Sequence, residues 1–191
     1  MNNFNFYNPT KIVFGKNVIK QLGTEVSNFG VKKVLILAGG GSIKNNGVYD
    51  SVCKSLQKSG IEYEELWGVR PNPTLAHARE AIRIIKEKNL EGIIAVGGGS
   101  VIDEAKAISA GPFVDDIWDA YTRKVTVSKA LPLFTVLTIS ATGSEMNWGS
   151  VLSNDEEQIK CPLHSPHFFP KVSIIDPSVQ MSLPWHQTVN G

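Results

Sequence analysis

Cysteine is scarce. Cys53 and Cys161 are the two among 191 residues, and they stand far apart with no CxxC pair. They read as free thiols of a reducing cytoplasm, with one long-range disulfide left open. No apolar run is long enough to cross a bilayer. Met1-Asn2-Asn3-Phe4-Asn5 has neither a basic start nor an apolar core, so it does not read as a signal peptide. Nor is charge of one sign in excess. The formal net charge is +1, so nothing in bulk electrostatics calls for nucleic acid or an anionic membrane as partner. Low-complexity tracts and short-period repeats are missing. So are GxGxxG and GxxxxGK[ST], which argues against an ATPase or GTPase.

What remains is an ordinary soluble globular composition, 42% apolar and 19% charged, long enough to bury one substantial core. Val34–Ala38 is short, apolar and rich in β-formers, and Gly39-Gly40-Gly41-Ser42 ends it. Val48, Val52 and Leu56 recur at helical spacing before Gly60, and Ile61–Val69 reads as a second strand. Pro71-Asn72-Pro73-Thr74 is a turn, with Thr74 as N-cap of a helix whose stripe is Ala78, Ala81, Ile82 and Ile85. Ile93–Val96 is a third strand entering a second GGGS, Gly97–Ser100, and Val101–Ala110 is a helix that Gly111-Pro112 stops. Leu131–Ser140 is a further apolar run, and Val172–Asp176 is the last strand, closed by Pro177. Continuous apolar strands alternating with helices predict an α/β, Rossmann-like fold, a mostly parallel sheet with helices on both faces.

The second GGGS carries the sharpest chemistry. Glycines between a strand and a helix let backbone approach a ligand, and the helix start aims free amides and a positive dipole at it. Ser100 is placed to cap that helix, Asp103 stands at capping-box spacing, and Lys106 lies one turn on, able to pair with Asp103. A plain glycine turn before a well-capped helix is the rival reading. The first GGGS closes the first long strand, where a ribose commonly sits. It offers no carboxylate to bond a 2′-OH and has Ser42 and Lys44 near, which favours NADP(H) over NAD(H) unless the loop is only a turn. Thr138, Ser140, Thr142 and Ser144 crowd one strand end, as donors to a diphosphate or nicotinamide amide, or as decoration of an edge strand. His164-x-x-His167 invites a metal, but Pro162, Pro166 and Pro170 deny it a helix and no carboxylates accompany it. His77 reads as a solvated helix residue, His186 as part of a helix start, and Trp148 as core rather than substrate wall.

These segments resemble a known family. YNPTKIVFG at Tyr7–Gly15, GGGSIKNNGVYD at Gly39–Asp50, PNPT at Pro71–Thr74, GGGSVIDEAKAI at Gly97–Ile108, LTISATGSEMN at Leu137–Asn147 and PKVSIIDPS at Pro170–Ser178 are similar to the iron-containing alcohol dehydrogenases, nearest the butanol dehydrogenase and aldehyde reductase branch. Polyol dehydrogenases and dehydroquinate synthase share the general architecture, but PNPT, TGSE and IIDPS together favour the alcohol dehydrogenases. The resemblance implies an N-terminal domain that binds NADP, with NAD as the alternative, and a C-terminal helical domain that holds a divalent metal, iron or zinc. It implies that Gly40, Gly41 and Ser42 lie by the adenosine ribose, and that Gly98, Gly99 and Ser100 hold the pyrophosphate with Asp103 nearby. Thr138, Ser140 and Thr142 then approach the diphosphate and nicotinamide, with Asn147 near the nicotinamide end. Asn72, Lys160 and Val179 complete the cofactor-contacting set.

One departure is large. In the family the metal ligands are an Asp and a His four residues on, then two more His, following a stretch like LPWHQTVNG; this sequence ends at Gly191 before them. Leu183-Pro184-Trp185 predicts a helix start, and Gly191 follows about two turns later. The expectation is therefore residues 1–183 as the NAD(P)-binding domain and 184–191 as the beginning of a cut helical one. Such a chain should bind cofactor without useful turnover and expose apolar surface that drives self-association. A small alcohol or aldehyde is the expected substrate partner, and a homodimer stays open. A stand-alone nucleotide-binding or interaction module is the non-catalytic alternative.

Overall fold

Four apolar runs lie side by side in the middle of one sheet. A computed structural model describes residues 3–190; Met1, Asn2 and Gly191, the outermost residues of the expected leader-free start and cut helix, lie outside it. The central strands are β2 (Lys33–Ala38), β4 (Gly92–Gly97), β5 (Leu133–Leu137) and β8 (Val172–Ile175). The edges are β1 (Lys11–Phe14) and β3 (Glu62–Trp67). All six pair in parallel, in the order β1-β8-β5-β4-β2-β3. Strands covered on both faces read as unbroken apolar runs, whereas β3, an edge, carries three glutamates and has no fully buried residue.

Alternate side chains feed two separate cores. Leu35, Leu37, Ile93, Ala95 and Leu137 face α4 (Leu75–Lys88), α5 (Gly99–Ala110) and α6 (Ile117–Tyr121). Val34, Ile36, Ile94, Val96, Phe134, Val136 and Ile174 face the other layer, built from α1 (Leu22–Ser27), the short α2 (Ser42–Asn45) and α3 (Val48–Lys58). Ile94 and Phe134 are fully buried, so truncating either to alanine should cost about 2–5 kcal/mol. No helix among the described residues is long and apolar enough to cross a membrane.

Several elements lie outside the sequence expectation. They are the strand β1, the short helices α1, α2 and α6, and an antiparallel hairpin, β6 (Gly149–Asn154) and β7 (Ile159–His164), which packs on α5. A last helix, α7, runs Trp185–Asn190 as expected. β5 is central rather than an edge, since β4 and β8 flank it, so the edge-strand reading of the hydroxyl-rich run fails. Trp148 is 46% exposed and stacks on Phe169 instead of entering the core, because the turn before the hairpin carries it outward.

The strand order fixes where a crevice opens. From β2 the chain moves outward to β3, then returns across β2 to β4 and continues the other way. Loops leaving β2 and β4 therefore diverge to opposite faces, and a gap forms at the carboxyl ends of those two strands.

Candidate functional site

Both GGGS segments end at that gap. Gly39 follows β2 and Gly98 follows β4. They approach each other through Val101, whose Cγ2 lies 3.9 Å from where a Cβ on Gly39 would sit. A cleft of about 490 Å³ opens beside the first loop, lined by Gly39, Gly40, Gly41, Lys44, Trp67 and Gly68. A Cβ added at Gly40 or Gly41 meets nothing within 4 Å, and Gly41 has φ +100°. This loop has room for a ligand against bare backbone.

The second loop is built differently. A Cβ at Gly98 would stand 2.3 Å from Ile139 Cγ2, and one at Gly99 2.3 Å from Thr142 Oγ1. Its glycines are required by the segment that follows β5, which crosses directly over them, rather than by ligand approach alone. Thr138 N also donates to Gly97 O at 3.1 Å. Gly98, Gly99, Ser100, Thr138 and Thr142 thus lie together at the carboxyl ends of β4 and β5.

Ser100 does not cap α5. The helix begins two residues earlier, at Gly99, Gly98 is the N-cap, and no side chain closes the start. The first intrahelical bond at that end runs from Ile102 N to Gly98 O, 3.1 Å, so the amides ahead of it point out of the helix towards the gap.

Asp103 does not form a capping box, and Lys106 does not pair with it. Helix α5 lies between the sheet and the hairpin, with its last turns wholly buried, so each charged side chain takes a partner from a covering element. Asp103 accepts from Ser144 Oγ at 2.6 Å and from Val151 N at 3.2 Å, while burial raises its pKa. Lys106, fully buried, donates to Asn147 Oδ1 and Gly149 O, both at 2.7 Å, and burial lowers its pKa to about 8. Asn147 is thereby engaged in holding Lys106 and the hairpin entry.

Glu104, fully buried, meets His77 Nδ1 at 2.5 Å, and His77 Nε2 lies 3.0 Å from Trp67 O. His77 is accordingly no solvated helix residue. The fold lays α4 along α5, and the Glu104 carboxylate raises the imidazole's pKa against the opposing effect of burial.

The remaining expected residues fall around this centre. Ser140 Oγ accepts from Gln180 Nε2 at 2.9 Å, tying the segment after β5 to the turn after β8. Val179 sits in that turn and lines a larger hollow of about 800 Å³ beside α3, which none of the glycine loops enters. The larger volume counts for less here than the convergence of strand ends. Lys160 Nζ donates to Asn72 Oδ1 at 2.7 Å, where the Pro71–Thr74 turn abuts the hairpin, and Asn72 has φ +59°. Ser42 is exposed at the start of α2.

A set of side chains was missed by the sequence reading. Glu65 joins Tyr49 and Trp67, and Lys44 lies over both rings. The period-two spacing of Tyr63, Glu65 and Trp67 puts them on one face of β3, a legible signal. The approach of Tyr49 from α3 had none. Glu65 pushes the Tyr49 hydroxyl above its ordinary pKa.

His164 ends β7 and His167 lies in a short 3-10 turn. Among the described residues no three His, Cys, Asp or Glu side chains converge as a metal-ligand set.

Several known proteins are similar. A probable NADH-dependent butanol dehydrogenase 1 of Bacillus subtilis is 47% identical over all of this chain, which covers 49% of that protein. The NADPH-dependent aldehyde reductase of Escherichia coli is 38% identical, again over all of this chain and 49% of its own length. The crystal structure of an NADH-dependent butanol dehydrogenase A from Thermotoga maritima superposes with a TM-score of 0.95 at 55% identity, over 99% of this chain and 48% of that one. The chain thus spans about half the length of the relatives it matches. With the family model matching from residue 9 to residue 177, over the sheet, both glycine loops and the hairpin, the chain belongs to the iron-containing alcohol dehydrogenase family.

Proposed function

We propose that this chain forms the dinucleotide-binding part of an oxidoreductase that moves a hydride between NADP(H) and a primary alcohol or aldehyde. The supporting observation is the meeting of two glycine loops and the open start of α5 at the reversal point of a parallel sheet. Amides of Gly99 to Val101 bind the pyrophosphate, and Gly40 and Gly41 lie by the adenosine ribose. Thr138, Ser140 and Thr142 supply hydroxyls towards the nicotinamide end. Asp103, Lys106 and Asn147 hold the surrounding segments, and through them the geometry, in place.

The dinucleotide supplies the hydride chemistry, and these residues supply binding and orientation. Relatives are named for NADH and for NADPH alike; Lys44 and the carboxylate-free first loop favour NADP(H) here. The described residues gather no set of three His, Cys, Asp or Glu side chains that would fit a catalytic metal.

Calorimetric titration of the chain with NADPH and NADH tests this reading. Saturable binding is expected, with NADPH tighter. Gly40→Asp places a carboxylate in open space without disturbing packing. It should weaken NADPH by about ten-fold or more through charge repulsion. Absence of heat with either coenzyme overturns the reading.

A further inference from the structure

Beside the first glycine loop, four side chains form a unit that the glycine motifs do not explain. Glu65 uses both carboxylate oxygens. One accepts from the Tyr49 hydroxyl, and the other accepts from Trp67 Nε1 at 2.7 Å. The two rings meet edge to face, centroids 5.3 Å apart at 62°. Lys44 Nζ lies 4.0 Å from the Trp67 centroid and 5.5 Å from that of Tyr49, over the negative faces of both. Lys44 and Trp67 line the same cleft as Gly39, Gly40 and Gly41.

The placement bears on coenzyme choice. In a doubly wound sheet, an acidic residue near the end of a strand at this crevice commonly bonds the ribose 2′-OH and repels a 2′-phosphate. Glu65 stands near the end of β3, the strand beside β2. Yet its oxygens are turned to two aromatic donors, which satisfy the carboxylate and draw it away from the cleft. Those same rings then hold an ammonium group at the cleft wall. A single cluster withdraws the anion and presents the cation.

We propose that the Tyr49–Glu65–Trp67 cluster is the specificity device of this site, positioning Lys44 so that a ribose 2′-phosphate is bound in preference to a 2′-hydroxyl. The proposal rests on the dinucleotide reading above. Lys44 contacts the phosphate; Tyr49, Glu65 and Trp67 are positioning residues that act through it.

The test compares dissociation constants for NADPH and NADH, by titration of the 191-residue chain and its variants. Wild type should favour NADPH. Lys44→Gln, at an exposed position, should reduce that preference about ten-fold or more by removing the charge pair. Trp67→Leu keeps Lys44 but removes its platform and also frees the second oxygen of Glu65, so it should weaken NADPH and strengthen NADH; Trp67→Phe, which keeps a ring but no donor, should restore part of the NADPH loss. Tyr49→Phe frees one oxygen of Glu65 and should strengthen NADH. The wild-type preference should also decline with added salt. Melting curves check that each variant is folded, and the exposed Lys44→Gln carries the test if Trp67→Leu does not fold.

A wild-type chain that binds neither coenzyme overturns the dinucleotide reading itself. Binding of both, with an NADH preference or with a ratio unmoved in Lys44→Gln, overturns the specificity proposal alone.

Discussion

His77 ties three elements through one ring. Its Nδ1 meets Glu104 on α5, its Nε2 meets the carbonyl of Trp67 at the end of β3, and its own backbone belongs to α4. Glu104 and Glu80 are the charged groups acting on it, and Glu104 dominates. Because the folded-state pKa lies above the ordinary 6.5, the pair stabilises the fold fully below that value. The contribution fades as pH rises through the raised pKa. His77→Gln should therefore destabilise by on the order of 1 kcal/mol near pH 6 and by much less near pH 9. Melting temperatures of both proteins across that range check it, and a constant gap rejects the ionic role. None of this was legible in sequence, since Glu104 is brought to His77 only when α4 packs on α5. The same holds for Gly98 and Gly99. Their presence was visible, but the Ile139 and Thr142 side chains that demand them were not.

Helix α5 shows what can and cannot be read at the scale of an element. Its span and its place after a buried strand follow from Val101–Ala110 and the glycines before it. Its charged residues look like surface decoration on paper, because local spacing suggests local partners. Their true partners come from the β6–β7 hairpin and the turn before it. That hairpin escaped notice since β6 has only two adjacent apolar residues, Val151 and Leu152, among glycine and polar ones, and β7 contains Pro162. Asp103→Ala should remove the tie from α5 to Ser144 and to the Val151 amide. The expected cost is about 1–3 kcal/mol, the usual result of stranding buried donors. Denaturant melts give the total, and hydrogen exchange should report faster exchange at Val151. An unchanged Val151 amide would show that the Asp103 carboxylate is not what holds the hairpin to α5.

For the whole molecule, the α/β class and most central strands were legible because buried parallel strands advertise themselves as apolar runs. The strand order was not. It depends on which runs become neighbours, and that order creates the crevice. Large apolar side chains also lie open at the chain's two extremities: Phe4, Phe6, Tyr7 and Phe14 near one, Met181, Trp185 and Val189 near the other. Exposed apolar surface on this scale favours association. Sedimentation velocity of the 191-residue chain should show species larger than monomer that grow with concentration. A sharp monomer boundary at high concentration would contradict this.

The pairing of β1 with β8 has a consequence for how the molecule forms. The first strand of the sheet has the last one as its sole neighbour, Lys11 beside Val172. During synthesis, β1 must wait until almost the whole sheet has been made before its backbone amides find partners. Contacts so remote along the chain are closed late and slowly. The β3–β2–β4 side of the sheet can assemble first on the ribosome, while β1, its Phe14 bare, trails as an unmatched ribbon that a chaperone or a neighbouring nascent chain is free to seize.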